Sequence, residues 1–266
     1  MLRLFALFLL VSLLTACGGG DNTDGESDVE SVSDPAAVIQ WDRNPSNIIF
    51  RADIASADAE EGFFARSEIP LCTIYGDGRV IWLSESAADP IDSVLTGPVD
   101  DQRIRFFVEN VTFYRDIYSY GAEADLQMSE TPPIVETLYI NVNDVEHVTD
   151  MFSGWDDQYF ESIVTECQTL SPRPQIYRPD GAWIRVREES YNPNQPSVLW
   201  DADVTGMDLA EIAASGEPIW VTGRLARLFW SYRTRAPLDL QYSQGAGNFV
   251  VAMEIPNLTR FSPPAP

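Results

Sequence analysis

The chain has 266 residues, of which 45% are hydrophobic and 22% charged, and its formal net charge is −24. Charge of that sign repels nucleic-acid phosphate and anionic head groups, which argues against both as partners; cationic ligands, divalent ions and basic proteins stay compatible with it. All 17 basic residues are arginine, His147 is the single histidine, and G-x-S-x-G, H-E-x-x-H and C-x-x-C are absent. That removes P-loop and Schiff-base lysines and several familiar catalytic and metal arrangements. The glycine pairs Gly76/Gly78 and Gly245/Gly247 lack the third glycine of a dinucleotide loop, and no cofactor is expected.

The chain begins with Arg3 as its only early charge, followed by an apolar run from Leu4 to Leu14. That run has signal-peptide length and falls short of the roughly 20 apolar residues that span a bilayer. Leu14-Thr15-Ala16-Cys17 follows, then Gly18-Gly19-Gly20. The pattern resembles the bacterial lipobox. The resemblance implies cleavage before Cys17, a lipid on its thiol, and an extracytoplasmic protein anchored to the cell membrane, the outer one where the organism has two. Residues 1–16 are therefore read as a signal peptide. Residues 17–40, rich in Gly, Asp, Glu and Ser, are read as a lipidated cysteine and an acidic tether too poor in apolar side chains to fold.

The body starts near Trp41. Apolar and polar residues alternate from Asn47 to Ile54, a strand pattern. Leu71 to Leu83 carries Asp77-Gly78 between apolar runs, the signature of a two-residue type I′ hairpin. That turn pairs Ile74 with Ile81 and Cys72 with Leu83 on an apolar core face. It leaves Thr73, Trp82, Tyr75 and Val80 on a wetter one. A helix is predicted over 101–116 from Ile104, Phe107, Val108 and Val111, with Pro98 and Asp100 at its start.

Glu136 to Val142 and Glu146 to Phe152 form a second hairpin around Asn143-Asp144. A two-residue loop sets His147 opposite Ile140 on the inner face. A three-residue loop sets it outside, opposite Asn141. Asp156 then opens a helix with Phe160, Ile163, Val164, Cys167 and Leu170 on one stripe, stopped by Pro172 and Pro174. Strands follow at 182–189, 219–221 and 249–255, with a short helix at 208–215. Leu225 to Thr234 reads as a strand by alternation of Ala226, Leu228, Trp230 and Tyr232, and also fits a helix. The fold class is α+β: antiparallel sheet built from hairpins, a hairpin–helix unit occurring twice over 41–175 with helices on one face, then a β-rich region over 176–266 packed on the first.

At Thr73-Ile74-Tyr75-Gly76-Asp77-Gly78-Arg79-Val80 the chain resembles uncharacterised exported bacterial lipoproteins with an aromatic-Gly-Asp-Gly-Arg-Val hairpin. The outline match extends over most of the body, and the hairpin is its specific part. The resemblance implies a fold and a location and no reaction. Where those proteins carry an aromatic residue, this chain has Cys72.

Cys72 falls on an apolar strand face and Cys167 on an apolar helix stripe. Export to an oxidising compartment favours a disulfide between them. Closing a loop of about 95 residues stabilises by roughly 4–5 kcal/mol in the chain-entropy account. The alternative is two buried thiols acting as small hydrophobes. His147 reads as structural. The carboxylate pairs Glu60/Glu61, Asp156/Asp157, Glu188/Glu189 and Asp201/Asp203 are common in so acidic a chain and identify no catalytic site. Trp155, Trp183, Trp200, Trp220 and Trp230 suit a core or a sugar-stacking platform, and core is the commoner use.

Three readings of function follow. The first is a non-catalytic lipoprotein that binds a protein partner in the envelope, marked by an exposed apolar or aromatic patch. The second is a small-molecule or glycan module, marked by a tryptophan-lined pocket. The third is a carboxylate-dependent hydrolase, marked by facing carboxylates of raised pKa in a cleft.

Overall fold

The computed structural model describes residues 39–56, 62–84, 93–122 and 134–266. The signal peptide, Cys17 and most of the tether lie outside these, as do Glu60/Glu61. The chain forms an α+β fold with two sheets.

The first sheet holds β1 (Ile48–Ser56), β2 (Cys72–Tyr75), β3 (Arg79–Leu83), β4 (Val94–Pro98), β5 (Ile134–Val142), β6 (Val145–Asp150) and β7 (Gln175–Ile176). Its order is β6-β5-β1-β2-β3-β4-β7, with every neighbour antiparallel. The second holds β8 (Gly181–Glu188), β9 (Ser197–Leu199), β10 (Ile219–Thr222), β11 (Gln241–Gln244) and β12 (Gly247–Glu254), in the order β10-β8-β12-β11-β9. Only the β9–β11 pair is parallel among these. The helices are α1 (Asp101–Glu109), α2 (Tyr159–Gln168), α3 (Ala202–Thr205), α4 (Leu209–Ser215) and α5 (Gly223–Arg235).

Alternation along the strands sends Phe50, Ala52, Cys72, Ile74, Val80, Trp82, Leu138 and Ile140 to one face of the first sheet. There they meet Ile104, Phe107 and Val108 of α1 and Phe160, Ile163, Val164 and Cys167 of α2. Cys72 and Cys167 are joined in a disulfide, with Cα atoms 6.3 Å apart, so α2 is bonded covalently to a central strand. On the reverse face, Tyr75, Ile81 and Val94 belong to a second core shared with Ile184, Met253, Phe229, Trp230 and Leu258. β2 is accordingly buried along its whole length.

Helix starts follow side-chain chemistry. Asp100 accepts from the Arg103 N–H at the start of α1, and Asp208 accepts from the Ala210 and Glu211 N–H groups at the start of α4. The helix predicted over 101–116 is α-helical to Glu109. It then widens, with the Arg115 N–H bonding the Asn110 carbonyl five residues back, and ends at Asp116 with φ 49°.

Four sequence expectations are corrected. The first hairpin pairs Cys72 with Trp82, Thr73 with Ile81 and Ile74 with Val80, one residue away from the expected register. Its loop is Gly76-Asp77-Gly78, Gly78 alone has φ +81°, and the Gly78 N–H bonds the Tyr75 carbonyl. The residues expected on the wetter face are buried, with Thr73, Tyr75 and Val80 each at most 2% exposed and Trp82 5%. Leu225 to Thr234 is helical, with Ala226, Phe229 and Trp230 buried at i, i+3, i+4 spacing. Ile39 and Gln40, assigned to the tether, belong to the body: Ile39 is buried against the first core, and Gln40 exchanges hydrogen bonds with Asn143.

The C-terminal segment closes the two sheets together. Arg260 makes a bidentate pair with Asp53 at the end of β1 (2.7 and 2.8 Å) and a further bond to Glu68 (2.5 Å). Asp53 is only 7% exposed, so this pair is largely shielded from water. The Tyr75 hydroxyl donates to the Asn257 carbonyl beside it.

Candidate functional site

Where α2 lies against the β2–β3 side of the first sheet, an open groove of about 960 Å³ remains. The amphipathic stripe of α2 sets one wall. Phe160 and Val164 point inward, while Glu161, Thr165 and Gln168 follow on the outer turns. Gln168 Nε2 donates to the Leu83 carbonyl at 3.0 Å, fixing the far end of the helix to the end of β3. Trp82, 5% exposed, forms part of the floor together with Ile54, Leu71 and Leu83.

Trp155 stands at the entrance of α2. Its ring stacks on Phe160 (5.9 Å, 8° between planes) and on Tyr159 (5.5 Å, 29°), and its Nε1 donates to Thr149 Oγ1 at 3.1 Å. Thr149 is buried and further bonded to the Gly121 carbonyl and Ser153 Oγ, so the indole is held from both its apolar and its polar side. Asp156 Oδ1 accepts from the Gln158 N–H and thereby shapes the turn into α2.

The rim carries Glu136 from β5, Asp156, Asp157 and Glu161. The Glu136 carboxyl is raised above the ordinary carboxylate range, chiefly by burial and further by the negative charge of Glu161. Among the described residues, no cationic side chain lines the groove, and no group of three or more His, Cys, Asp or Glu is placed to hold a metal ion.

The other residues singled out from sequence lie elsewhere. The Asn143-Asp144 loop is the two-residue alternative, so His147 stands opposite Ile140. His147 Nε2 donates to the Ile117 carbonyl at 2.9 Å, and its ring meets Tyr118 edge-on at 5.1 Å, away from the groove. Asp201 caps α3 by accepting from the Val204 N–H, and Glu189 pairs with Arg187. Trp200 and Trp230 are core residues. Trp183 and Trp220 pair edge-to-face at 5.3 Å, with Trp183 Nε1 donating to the Pro264 carbonyl. The five tryptophans therefore form no common platform. Trp155 alone of them reaches the groove, and its companion there, Trp82, comes from the first hairpin.

A second, much smaller cavity of about 20 Å³ between α5 and β11–β12 has room for about one water. Arg233 lines it, donating from Nε to the Ser67 carbonyl at 2.7 Å; burial pushes its guanidinium down to about 10, opposed by the charge of Glu68. That arrangement fastens α5 to the 64–67 turn and has no space for a ligand.

The sequence reading placed Phe160 and Val164 in the core and missed Trp82, Glu136 and Glu161 as site residues. The one local signal was Trp155-Asp156-Asp157 standing immediately before an amphipathic helix. No protein-family model matches the chain, and no curated protein and no solved structure matches it.

Proposed function

We propose that this is an extracytoplasmic lipoprotein, held to a bacterial membrane by a lipid on Cys17, that binds a protein partner in the envelope without catalysing a reaction. The Tyr75 to Val80 hairpin supports grouping it with exported lipoproteins of that motif. The observation that carries the binding reading is the groove along α2. Its apolar floor is open to solvent on a scaffold braced by the Cys72–Cys167 disulfide, and its volume stands at the upper limit of small-ligand pockets. Exposed Phe106, Phe113 and Tyr114 around the end of α1 add aromatic surface of the kind that partners cover. Among the described residues no helix is long and apolar enough to cross a membrane.

Two measurements test the reading. Cys17→Ser should release the protein from membranes, and continued membrane association would remove the lipid anchor. A photo-crosslinker at Thr165, on the groove wall, should capture one discrete partner in intact cells. Capture unchanged in a Trp155→Ala variant, or none at all, would remove the groove from the binding role.

One observation favours a second reading. Glu136, its carboxyl raised by burial and by the charge of Glu161 on the same groove, is where a general acid would be sought. A hydrolase reading requires turnover of a glycoside or ester that is abolished by Glu136→Gln; turnover untouched by that substitution would exclude this pair.

A further inference from the structure

We propose that the groove receives a basic, apolar segment of the partner protein, a stretch in which arginine or lysine side chains accompany apolar ones. The inference rests on the reading of the groove as a binding surface, and adds what must fill it.

The argument is one of charge complementarity over an apolar floor. The body's arginines meet carboxylates away from the groove: Arg260 pairs with Asp53 and Glu68, Arg185 with Glu254, Arg115 with Glu166 and Arg43 with Asp101. The four groove carboxylates, Glu136, Asp156, Asp157 and Glu161, make no ion pair among the described residues.

Among the described residues, the groove's acidity is thus answered by no cation of its own lining. A compact cation does not answer it, because the carboxylates are too dispersed to surround one ion. A string of spaced cations does, and the floor between them asks for apolar side chains. Trp155, half-buried at one end, adds aromatic surface beside these carboxylates.

The test uses the full-length protein in neutral detergent, with empty micelles as blank. The probes are three labelled peptides of equal length in which leucine alternates with arginine, glutamine or glutamate. The arginine peptide should bind about tenfold or more tighter than the glutamine peptide and lose affinity with added salt, and the glutamate peptide should not bind. Binding should change tryptophan emission. It should be lost in Glu136→Gln/Glu161→Gln, and independently in Thr165→Arg, which puts a cation on the groove wall; each variant's melting temperature serves as the folding control.

Equal binding of the arginine and glutamine peptides would overturn the charge inference and leave the groove as a binding surface. Arginine-peptide binding that survives both variants would place the site elsewhere and overturn it. Binding of a neutral oligosaccharide with no peptide bound would overturn it in favour of a glycan. Failure of every probe to bind would overturn the inference and the groove reading together.

Discussion

The two β-hairpins of the first sheet carry similar turn residues and resolve them in opposite ways. Asp77-Gly78 has the preferred composition of a two-residue turn, yet its loop takes in Gly76 and becomes three residues long. Asn143-Asp144 lacks glycine, yet it is the two-residue turn, with φ of 56° and 59°. The difference lies in what surrounds each loop. Asn143 and Asp144 are exposed, and two tertiary hydrogen bonds join Asn143 to the exposed Gln40, which a two-residue turn accommodates. The first loop is enclosed: the Gly76 N–H bonds the Asn47 carbonyl, Trp41 Nε1 donates to the Gly76 carbonyl, and the Val99 N–H bonds the Gly78 carbonyl. A local preference of this kind spans about 1 kcal/mol, and three tertiary hydrogen bonds outweigh it.

The first hairpin's advantage can be dismantled in steps. The largest effect is expected from Cys72→Ala/Cys167→Ala, which frees β2 from α2 and should cost about 4–5 kcal/mol, read as a fall in melting temperature under oxidising conditions. An unchanged melting point would mean the native chain holds two thiols. Next is Gly76→Ala. A Cβ there would stand 2.0 Å from the Asp42 carbonyl oxygen and 2.7 Å from that of Asn44, both backbone atoms. A loss of about 3 kcal/mol is expected in denaturant titration; a loss under about 1 kcal/mol would mean the 42–44 segment does not press on the loop.

Gly78→Val adds a β-branched side chain at φ +81°, with its Cβ 2.8 Å from the Val99 carbonyl oxygen. It should destabilise by about 2 kcal/mol. The smallest effect belongs to the exposed hairpin. Asp144→Gly removes a non-glycine residue from positive φ and should leave stability unchanged or raise it by less than about 1 kcal/mol. A clear loss there would show that Asp144, like Asn143, is held by more than the turn itself.

Register was illegible for a related reason. Sequence fixes a strand's register when one face is apolar and the other polar. β2 and β3 are buried on both faces, so Cys72-Ile74 with Val80-Trp82 and Tyr75 with Ile81 satisfy two cores at once, and a one-residue slip costs the pattern nothing. α5 misled similarly: Leu225, Leu228 and Tyr232 pack partly against the same core as Ala226, Phe229 and Trp230, so both a period of two and one of 3.6 find support. The caps at Asp100 and Asp208, and the placing of Cys72 and Cys167 on apolar faces, depend on neighbours close in sequence and were legible. The groove was not. Trp82, Glu136, Trp155 and Glu161 come from β3, β5, the approach to α2 and α2 itself, and only the packed sheet brings them together.

Arg260 and Asp53 are separated by 207 positions, so one half of the ion pair is synthesised long before the other. While the chain is being made, Asp53 and Glu68 exist for most of that time with no Arg260 to meet, and their carboxylates stay hydrated. Nearly the whole body can therefore condense before this closure does. A nascent or C-terminally clipped chain that stops short of Arg260 would present β1's end and the 64–68 turn as a wet, unsealed seam. Such a seam is where a protease would find its opening, so the segment that carries Arg260 acts as the seal between the two sheets.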